Sequence, residues 1–199
     1  MTLVSNLLLI ILFYVIGSLP FALIFTKLFG LGDIRKVGSG NVGATNVLRT
    51  GNKFVAFIVL CFDIFKGFLP FLILQIYFQD ISLLNKILLC HFAIIGHIYP
   101  VWLKFKGGKG VATYVGILFS INIILGVVFV ISWLIVFVIT KYSSLSSIIG
   151  TMTVPCYLLL TGPNNDIIFF AIMFVLIFFT HRENIKRLKN KEESKTKIY

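Results

Sequence analysis

The feature that most restricts the fold of this chain is a series of long apolar runs that carry almost no charge. Six segments of this kind cover most of the 199 residues: 3–29, 54–78, 81–98, 111–140, 145–161 and 167–180. A hydrocarbon core of about 30 Å needs roughly 20 apolar residues in a helix. Charged residues make up only 13% of the chain, whereas soluble domains have about 25%. The sequence therefore predicts an all-α integral membrane protein and excludes a soluble globular domain.

The basic residues predict how these segments are oriented. Lysine and arginine number 18 against 7 acidic residues, for a net charge of +11. They concentrate in three polar stretches, at 30–53, 99–110 and 181–199. Because Lys and Arg collect in cytoplasmic loops, these stretches are predicted to be cytoplasmic. The connections at 79–80 and 162–166 contain neither residue and are predicted to be external.

The segment at 111–140 decides the number of helices. As one helix it would be about 45 Å long, which exceeds the bilayer, and it would export the basic tail. Splitting it near Ser120-Ile121-Asn122 returns every basic stretch to the cytoplasm. The first apolar run lacks a basic start and a cleavage site, so we expect it to remain as a helix. The prediction is a single domain of seven transmembrane helices over residues 1–199. The N-terminus is outside, and the C-terminus lies in a cytoplasmic basic tail at 181–199.

The first polar stretch has the composition of an anion-binding loop. Its glycines allow backbone N–H groups to turn toward an anion. Neutral hydrogen-bonding side chains accompany them, and Arg49 can hold a phosphate through two parallel hydrogen bonds. The neutral residues are Ser39, Asn41, Thr45 and Asn46. Residues 38–43 also read G-x-G-x-x-G, but no buried strand precedes them, so a dinucleotide site is not supported.

The second polar stretch, residues 96–113, combines glycines with lysines at the predicted start of a helix. Such a turn can bind an anion through its backbone and through the helix N-terminus. Its spacing does not match a P-loop. The lysines alone could simply mark the cytoplasmic side, but the flanking glycines favour a binding loop. Its candidate binding residues are His97, Lys104, Lys106, Gly107, Gly108, Lys109 and Gly110.

The third stretch places His181, Asn184 and Arg187 at i, i+3 and i+6, near one face of a helix. Its charges fit equally well a helix end that faces lipid headgroups. Asp63 and Lys66 form an i, i+3 pair inside the second apolar segment, and such a pair is either functional or a structural ion pair. The histidines lack metal-binding spacing, so no metal site is predicted.

Together the three stretches resemble the PlsY family, the bacterial membrane glycerol-3-phosphate acyltransferases that use acyl phosphate. The family's motifs are similar to GSGNVGATNVLR at 38–49, GHIYPVWLKFKGGKGVAT at 96–113 and HRENIKRL at 181–188. Residues 63–67 and 144–148 also match, so the resemblance covers essentially the whole chain. It departs at Lys191, where the family pattern has a glycine before the glutamate that corresponds to Glu193.

The resemblance implies a reaction and its partners. A fatty acyl group moves from acyl phosphate to the 1-hydroxyl of glycerol 3-phosphate, giving lysophosphatidic acid and phosphate in the first step of phospholipid synthesis. It implies no cofactor, a bacterial cell membrane with the active site toward the cytoplasm, contact with membrane lipids and no nucleic acid. The family's catalytic residues map onto Ser39, Arg49, His181 and Asn184. Arg187 and Glu193 join the residues of the first two stretches as substrate-binding positions.

The residues fit this chemistry better than its rivals. No histidine is followed by the H-x-x-x-x-D aspartate of the soluble-type acyltransferases, so we expect catalysis by positioning and charge stabilisation. The resemblance suggests that a phosphate oxygen of the substrate accepts the hydroxyl proton. The main alternative is an organic-phosphate transporter, which predicts basic residues deep within the spans. Only Lys66 and Lys86 lie within or beside a span away from the glycine-rich loops.

Overall fold

The structure, a computed structural model, describes residues 3–161 and 166–196. Within these residues the chain forms ten α-helices and no strand. The helices are α1 Leu3–Ser18, α2 Phe21–Leu28, α3 Ala44–Leu48, α4 Lys53–Tyr77, α5 Leu83–Ile98, α6 Val111–Ile121, α7 Ile123–Thr140, α8 Ser143–Thr161, α9 Ile167–Thr180 and α10 Arg182–Lys189. Two 3₁₀ turns, Ile34–Lys36 and Val101–Leu103, lie in the loops. The helices belong to two compact units, Met1–Ile121 and Asn122–Tyr199.

The described helices confirm an all-α integral membrane protein. Five of them are long and apolar enough to cross a bilayer, counting α1 and α2 as one span, and a sixth is added when the bent pair α9–α10 is counted. Helix α6 is apolar but has only 11 residues, so it is too short to be counted among these spans. The predicted split of 111–140 is confirmed, because α6 ends at Ile121 and α7 begins at Ile123. Asn122 caps α7, accepting the Ile124 N–H at 2.8 Å.

Glycines bring the helices of the first unit into close contact. Helix α1 packs against α5, and α4 packs against α6. At Gly17 an added Cβ would overlap the backbone of Ala93, and at Gly67 it would overlap the backbone of Thr113. Gly96 and Gly116 are equally close to the helices that face them. Small residues at such contacts let helix backbones approach in a membrane, where dispersion forces replace the hydrophobic effect.

The first span is not one helix, which corrects the sequence expectation for residues 3–29. Helix α1 ends at Ser18 and α2 begins at Phe21, with Pro20 between them. The Leu19 carbonyl accepts the Lys66 ammonium at 2.9 Å, and the Ser18 carbonyl accepts the Trp102 indole N–H at 2.7 Å. A break at membrane depth needs such partners, because lipid offers none to the freed carbonyls.

The loop between α2 and α4 is folded around its own small apolar core. Buried Ile34, Val42 and Val47 pack together with Ala22 of α2 and Val55 of α4. This core fixes the loop, together with the short helix α3, against the first and second spans.

The second unit consists of α7 to α10 and the tail that follows them. Helix α8 packs on both α7 and α9. It begins at Ser143, two residues before the predicted segment. Helix α9 bends by 61° into α10 at His181. The predicted external connection at 162–166 lies outside the described residues except for Asp166.

Candidate functional site

The first polar loop is organised by the side chain of Asn46, which is 2% exposed. Its Oδ1 accepts the backbone N–H of Ser39 at 3.1 Å and the Ser39 hydroxyl at 3.4 Å. Its Nδ2 donates to the carbonyls of Ile34 at 3.0 Å and Val37 at 2.9 Å. The side chain of Asn46, which was predicted to bind a substrate, is therefore used to stabilise the loop.

The side chain of Arg49 packs against Gly38, the residue that precedes Ser39. Gly38 has a φ of +54°, and a Cβ added there would come within 2.7 Å of Arg49 Cδ. Glycine is thus required twice, for its left-handed backbone and for the space that the arginine occupies. Ser39 is exposed and Arg49 is half-buried, as are Asn41 and Thr45 on the same loop. Each of these four predicted first-loop residues is therefore at least partly accessible.

The glycines of the second loop pack against the chain itself. The N–H groups of Gly107 and Gly108 donate to the carbonyls of Ile98 and His97, each at 3.0 Å. A Cβ at Gly108 would overlap the imidazole of His97, and one at Gly107 would overlap the His97 carbonyl. The expectation that these N–H groups face an anion is therefore wrong. The two glycines are needed because the loop lies directly on His97.

The lysines of the second loop surround this contact. Lys104 and Lys106 are exposed, and Lys109 is half-buried. Lys104 and Phe105 have left-handed backbones, with φ of 51° and 61°. Gly110, with φ of +84°, gives its carbonyl to the Tyr114 N–H at 2.8 Å and so starts α6. The loop thus presents two exposed cations at a turn that ends on a helix N-terminus.

A buried polar cluster lies beneath the second loop and joins His97 to Asp63 and Lys66, which the sequence did not assign to the site. Asp63 Oδ1 is 2.7 Å from Lys66 Nζ and 3.7 Å from His97 Nδ1. The side chains of Asp63 and Lys66 are each 3% exposed. A small pocket is lined by these three residues and by Gly107 and Gly108. The sequence signal for this cluster was the pair Asp63 and Lys66, two ionisable residues three positions apart within a span.

In the second unit, Glu193 forms hydrogen bonds with two residues of the third stretch and one of α8. It is 8% exposed and accepts Asn184 Nδ2 at 2.6 Å, Arg187 Nε at 2.6 Å and Ser144 Oγ at 2.8 Å. Burial raises the pKa of this carboxyl, but the three hydrogen bonds outweigh burial and lower the pKa below its usual value. The predicted helical face of Asn184 and Arg187 is thus turned to a carboxylate of the chain's own tail.

Lys191 makes the turn that carries Glu193 back to the helices. Its φ is 61°, and the chain closes around it with Lys191 N–H donating to Leu188 and Glu192 N–H donating to Arg187. These two bonds form a Schellman motif, in which the left-handed residue is usually glycine. Lys191 therefore takes the left-handed position that glycine usually occupies in such a turn.

His181 lies at the bend between α9 and α10 and is 3% exposed. Its Nδ1 is 2.8 Å from the Ile177 carbonyl and 3.4 Å from the Thr180 hydroxyl. The ring is thus held by the helix that precedes it. Among residues 3–161 and 166–196 no group of three or more His, Cys, Asp or Glu could hold a metal ion.

Comparison with known proteins first defines the class of protein to which this fold belongs. Over 96% of its length the chain superimposes, with a TM-score of 0.88 and 40% identity, on 95% of a crystal structure of PlsY (YgiH), an integral membrane glycerol 3-phosphate acyltransferase, in its glycerol 3-phosphate form. The lysophosphatidic acid form of PlsY gives a TM-score of 0.86 at 38% identity, with the same shares covered. The chain thus has the fold of a polytopic membrane acyltransferase.

Sequence relatives then identify the family. The family model described as glycerol-3-phosphate acyltransferase matches residues 7–191. A glycerol-3-phosphate acyltransferase of Pelagibacter ubique is 59% identical over 94% of this chain and 95% of its own length. One from Brucella canis is 48% identical over 92% of this chain and 89% of its own. The chain belongs to the glycerol-3-phosphate acyltransferase family.

Proposed function

We propose that this enzyme transfers a fatty acyl group from acyl phosphate to the 1-hydroxyl of glycerol 3-phosphate. The observation that carries the proposal is the first loop, where Arg49 packs against Gly38, next in sequence to Ser39, on a loop with its own apolar core. A guanidinium beside a hydroxyl and glycine backbone is suited to a phosphate or an acyl phosphate. The likeness to a PlsY structure in a glycerol 3-phosphate form supports the same substrate here.

The reaction needs little from the protein beyond position and charge. The hydroxyl oxygen of glycerol 3-phosphate attacks the acyl carbonyl carbon, and the bond from that carbon to the phosphate oxygen breaks. Lysophosphatidic acid and inorganic phosphate form, and a phosphate oxygen takes the hydroxyl proton. Phosphate is a good leaving group, so a covalent intermediate on the protein is unnecessary. Arg49 and Ser39 stabilise the charge that develops on the oxygens.

The remaining residues receive roles that their surroundings support. Lys104 and Lys106, which are exposed, bind phosphate, and Lys109 assists them. Asn41 and Thr45 supply hydrogen bonds on the first loop. We assign Asn46, Gly107, Gly108 and Gly110 to shaping the two loops, because their polar groups or their space are already used within the chain. His97 supports the second loop from below.

The third stretch acts through two residues at the bend of the second unit. His181 and Asn184 are the catalytic candidates that we carry forward from this stretch. Arg187 and Glu193 hold Asn184 in place, since Glu193 binds both side chains. Substrate contact by Arg187 or Glu193 stays a prediction.

The proposed topology has seven spans in a single domain, with α6 as a short fourth span of about 16 Å. The N-terminus is outside, and the basic loops and tail face the cytoplasm of a bacterial cell, as the positive-inside rule requires. Cysteines introduced at Lys36 and Gln79, after replacement of the native cysteines, test this arrangement. A membrane-impermeant thiol reagent should label position 36 only in inside-out vesicles and position 79 only in right-side-out vesicles. Labelling of both from one side would overturn the topology.

The test of the reaction is phosphate release by purified protein in detergent, supplied with palmitoyl phosphate with and without glycerol 3-phosphate. We expect release that depends on glycerol 3-phosphate and yields lysophosphatidic acid. Arg49→Ala should reduce it by roughly 100-fold or more, the scale of losing one charge-stabilising donor. Arg182→Ala is the matched control, since Arg182 is exposed and stacks on Phe179. Absence of acyl transfer, with glycerol 3-phosphate uptake into proteoliposomes, would favour the transporter instead.

A further inference from the structure

The break between α1 and α2, helix α4 and the end of α5 meet at a buried junction under the second loop, residues 99–110. We infer that Asp63 and Lys66 are positioning residues for this loop, acting through His97 and through the break in the first span. The inference rests on the proposed function, in which this loop binds the phosphate of glycerol 3-phosphate.

Lys66 holds the break in the first span. Its ammonium is 2.7 Å from Asp63 Oδ1, 2.9 Å from the Leu19 carbonyl and 5.5 Å from the centre of the Phe21 ring. A lysine inside a span is costly unless it is paired, so the ion pair with Asp63 keeps it in this place. The lysine in turn satisfies a carbonyl that the break has freed.

The other side of the break is bonded to the loop itself. Trp102 donates its indole N–H to the Ser18 carbonyl at 2.7 Å. The Tyr14 hydroxyl donates to the Tyr99 carbonyl, also at 2.7 Å. The start of the loop is therefore attached to the last turns of α1, directly before the Leu19 carbonyl that Lys66 binds.

His97 provides a second route from the ion pair to the loop. Its Nδ1 is 3.7 Å from Asp63 Oδ1, within electrostatic range but longer than a hydrogen bond. Its ring fills the space where a Cβ of Gly108 would lie, and its carbonyl accepts the Gly108 N–H. A shift of the imidazole must therefore move Gly107 and Gly108, which lie between Lys106 and Lys109.

The charges of the junction favour positioning over ligand binding. Lys66 is paired with Asp63 at 2.7 Å, so the pair as a whole has little attraction for an anion. The exposed positive charges are those of Lys104 and Lys106, on the second loop above the Asp63–Lys66 pair. The pair therefore acts on glycerol 3-phosphate through the loop.

The experiment compares Lys66→Met with Lys86→Met. Lys86 is 5% exposed in α5, and its ammonium donates to Gln75 Oε1 at 3.1 Å and the Gln79 carbonyl at 3.4 Å. It is thus a second buried lysine of similar exposure that does not line the pocket. We expect Lys66→Met to raise KM for glycerol 3-phosphate by about 10- to 100-fold, the cost of a misplaced binding group, with a much smaller change in kcat. Lys86→Met should lower the thermal stability and leave KM unchanged.

The double variant Asp63→Leu/Lys66→Met separates positioning from stability. Removing both ions leaves no uncompensated charge, so the thermal stability lost in Lys66→Met should return. KM should stay raised, because the Leu19 carbonyl and His97 still lack their partners. Recovery of KM together with stability would show a merely structural ion pair and overturn the inference.

A readout independent of turnover uses Trp102, one of two tryptophans in the chain. In a Trp133→Phe background, the emission of Trp102 should shift in Lys66→Met, because the indole loses its fixed contact with the Ser18 carbonyl. It should not shift in Lys86→Met. An unchanged spectrum in Lys66→Met overturns the inference. If the native protein transfers no acyl group, the proposed function fails, but this spectral comparison still decides the coupling between Lys66 and the loop.

Discussion

The two glycine-bearing basic loops of the first unit have similar compositions but are held in shape by different means. The first is organised from within by Asn46, whose partners Ile34, Val37 and Ser39 belong to the same loop. The second rests on His97 of α5 and is attached to α1 through Trp102. The hydrogen bonds that shape the first loop therefore come from within it, whereas those that hold the second loop come from the spans.

The difference predicts where each loop can be damaged. A change to Asn46 should disrupt the first loop from within, whereas the surrounding helices α2 and α4 act on it through apolar contacts with its core. The second loop should respond to substitutions in the spans below it. The four predictions that follow test this contrast and extend it to the third stretch.

Asn46→Ala should have the largest effect, because it removes the four hydrogen bonds that the Asn46 side chain makes within the first loop. The carbonyls of Ile34 and Val37 each lose one donor, at a cost of about 1 kcal/mol per bond in the free energy of unfolding. The displacement of Ser39 should reduce kcat/KM by roughly 100-fold. Thermal unfolding and acyl transfer in detergent measure both.

Asn52→Ala is the control for Asn46. Asn52 caps α4 by accepting the Val55 N–H at 3.0 Å. Its loss should lower the free energy of unfolding by about 1 kcal/mol without changing kcat/KM. Equal losses of activity in the two variants would contradict the idea that Asn46 alone organises the loop.

Gly108→Ala should displace the second loop, because the added Cβ overlaps the His97 ring. We expect KM for glycerol 3-phosphate to rise by about tenfold or more, with a smaller change in kcat. Steady-state kinetics with each substrate varied in turn measures this. Gly51→Ala is the control for glycine replacement without a clash, since Gly51 has open space around it, although its φ of +87° strains an alanine. A similar rise in KM in Gly51→Ala would mean that contact with His97 is not responsible.

The third stretch adds a support that depends on pH. The folded pKa of Glu193 is lowered, so its ionised form stabilises the tail, fully so above the usual carboxyl pKa of 4.5. That stability should be lost as the pH falls through the lowered pKa. Thermal unfolding between pH 7 and pH 3 should show this acid loss in the native protein and a flatter dependence in Glu193→Gln. Glu192→Gln, at an exposed neighbour, should behave like the native protein.

Lys191→Gly should give the smallest effect, and it should be stabilising. A left-handed residue other than glycine costs about 1–2 kcal/mol, part of which is offset by the greater freedom of glycine in the unfolded chain. We expect a gain of about 0.5 kcal/mol in the free energy of unfolding, measured by thermal unfolding. Lys186→Gly, in the exposed middle of α10, should instead lose about 1 kcal/mol. Loss of stability in Lys191→Gly would show that the lysine side chain itself holds the turn.

Much of the fold could be predicted because it depends on local composition. The apolar runs identified the long spans, and the length of 111–140 required the break that Asn122 makes. The break at Leu19 was missed although Pro20 follows it. Its carbonyls are satisfied by Lys66 and Trp102, 47 and 84 residues further along the chain. No local pattern reports such partners.

The candidate site was predicted in its residue types more than in its contacts. Glycine is needed at 107 and 108 because the loop lies on His97, and the acceptor of their N–H groups is the chain and not an anion. The spacing of Asn184 and Arg187 identified a shared face, whereas its partner, Glu193, belongs to the tail. Hydrogen-bonding side chains look alike in sequence whether they bind a ligand or their own chain.

The break in the first span also affects how the protein folds during its synthesis and membrane insertion. During synthesis α1 and α2 enter the membrane while Lys66 and Trp102 have yet to be translated. The carbonyls of Ser18 and Leu19 therefore cannot reach their final partners until α4 and the residues after α5 have emerged. The earliest part of the chain to be inserted is thus among the last to take its final form, and the ribosome must deliver about half of the protein before the first span is complete.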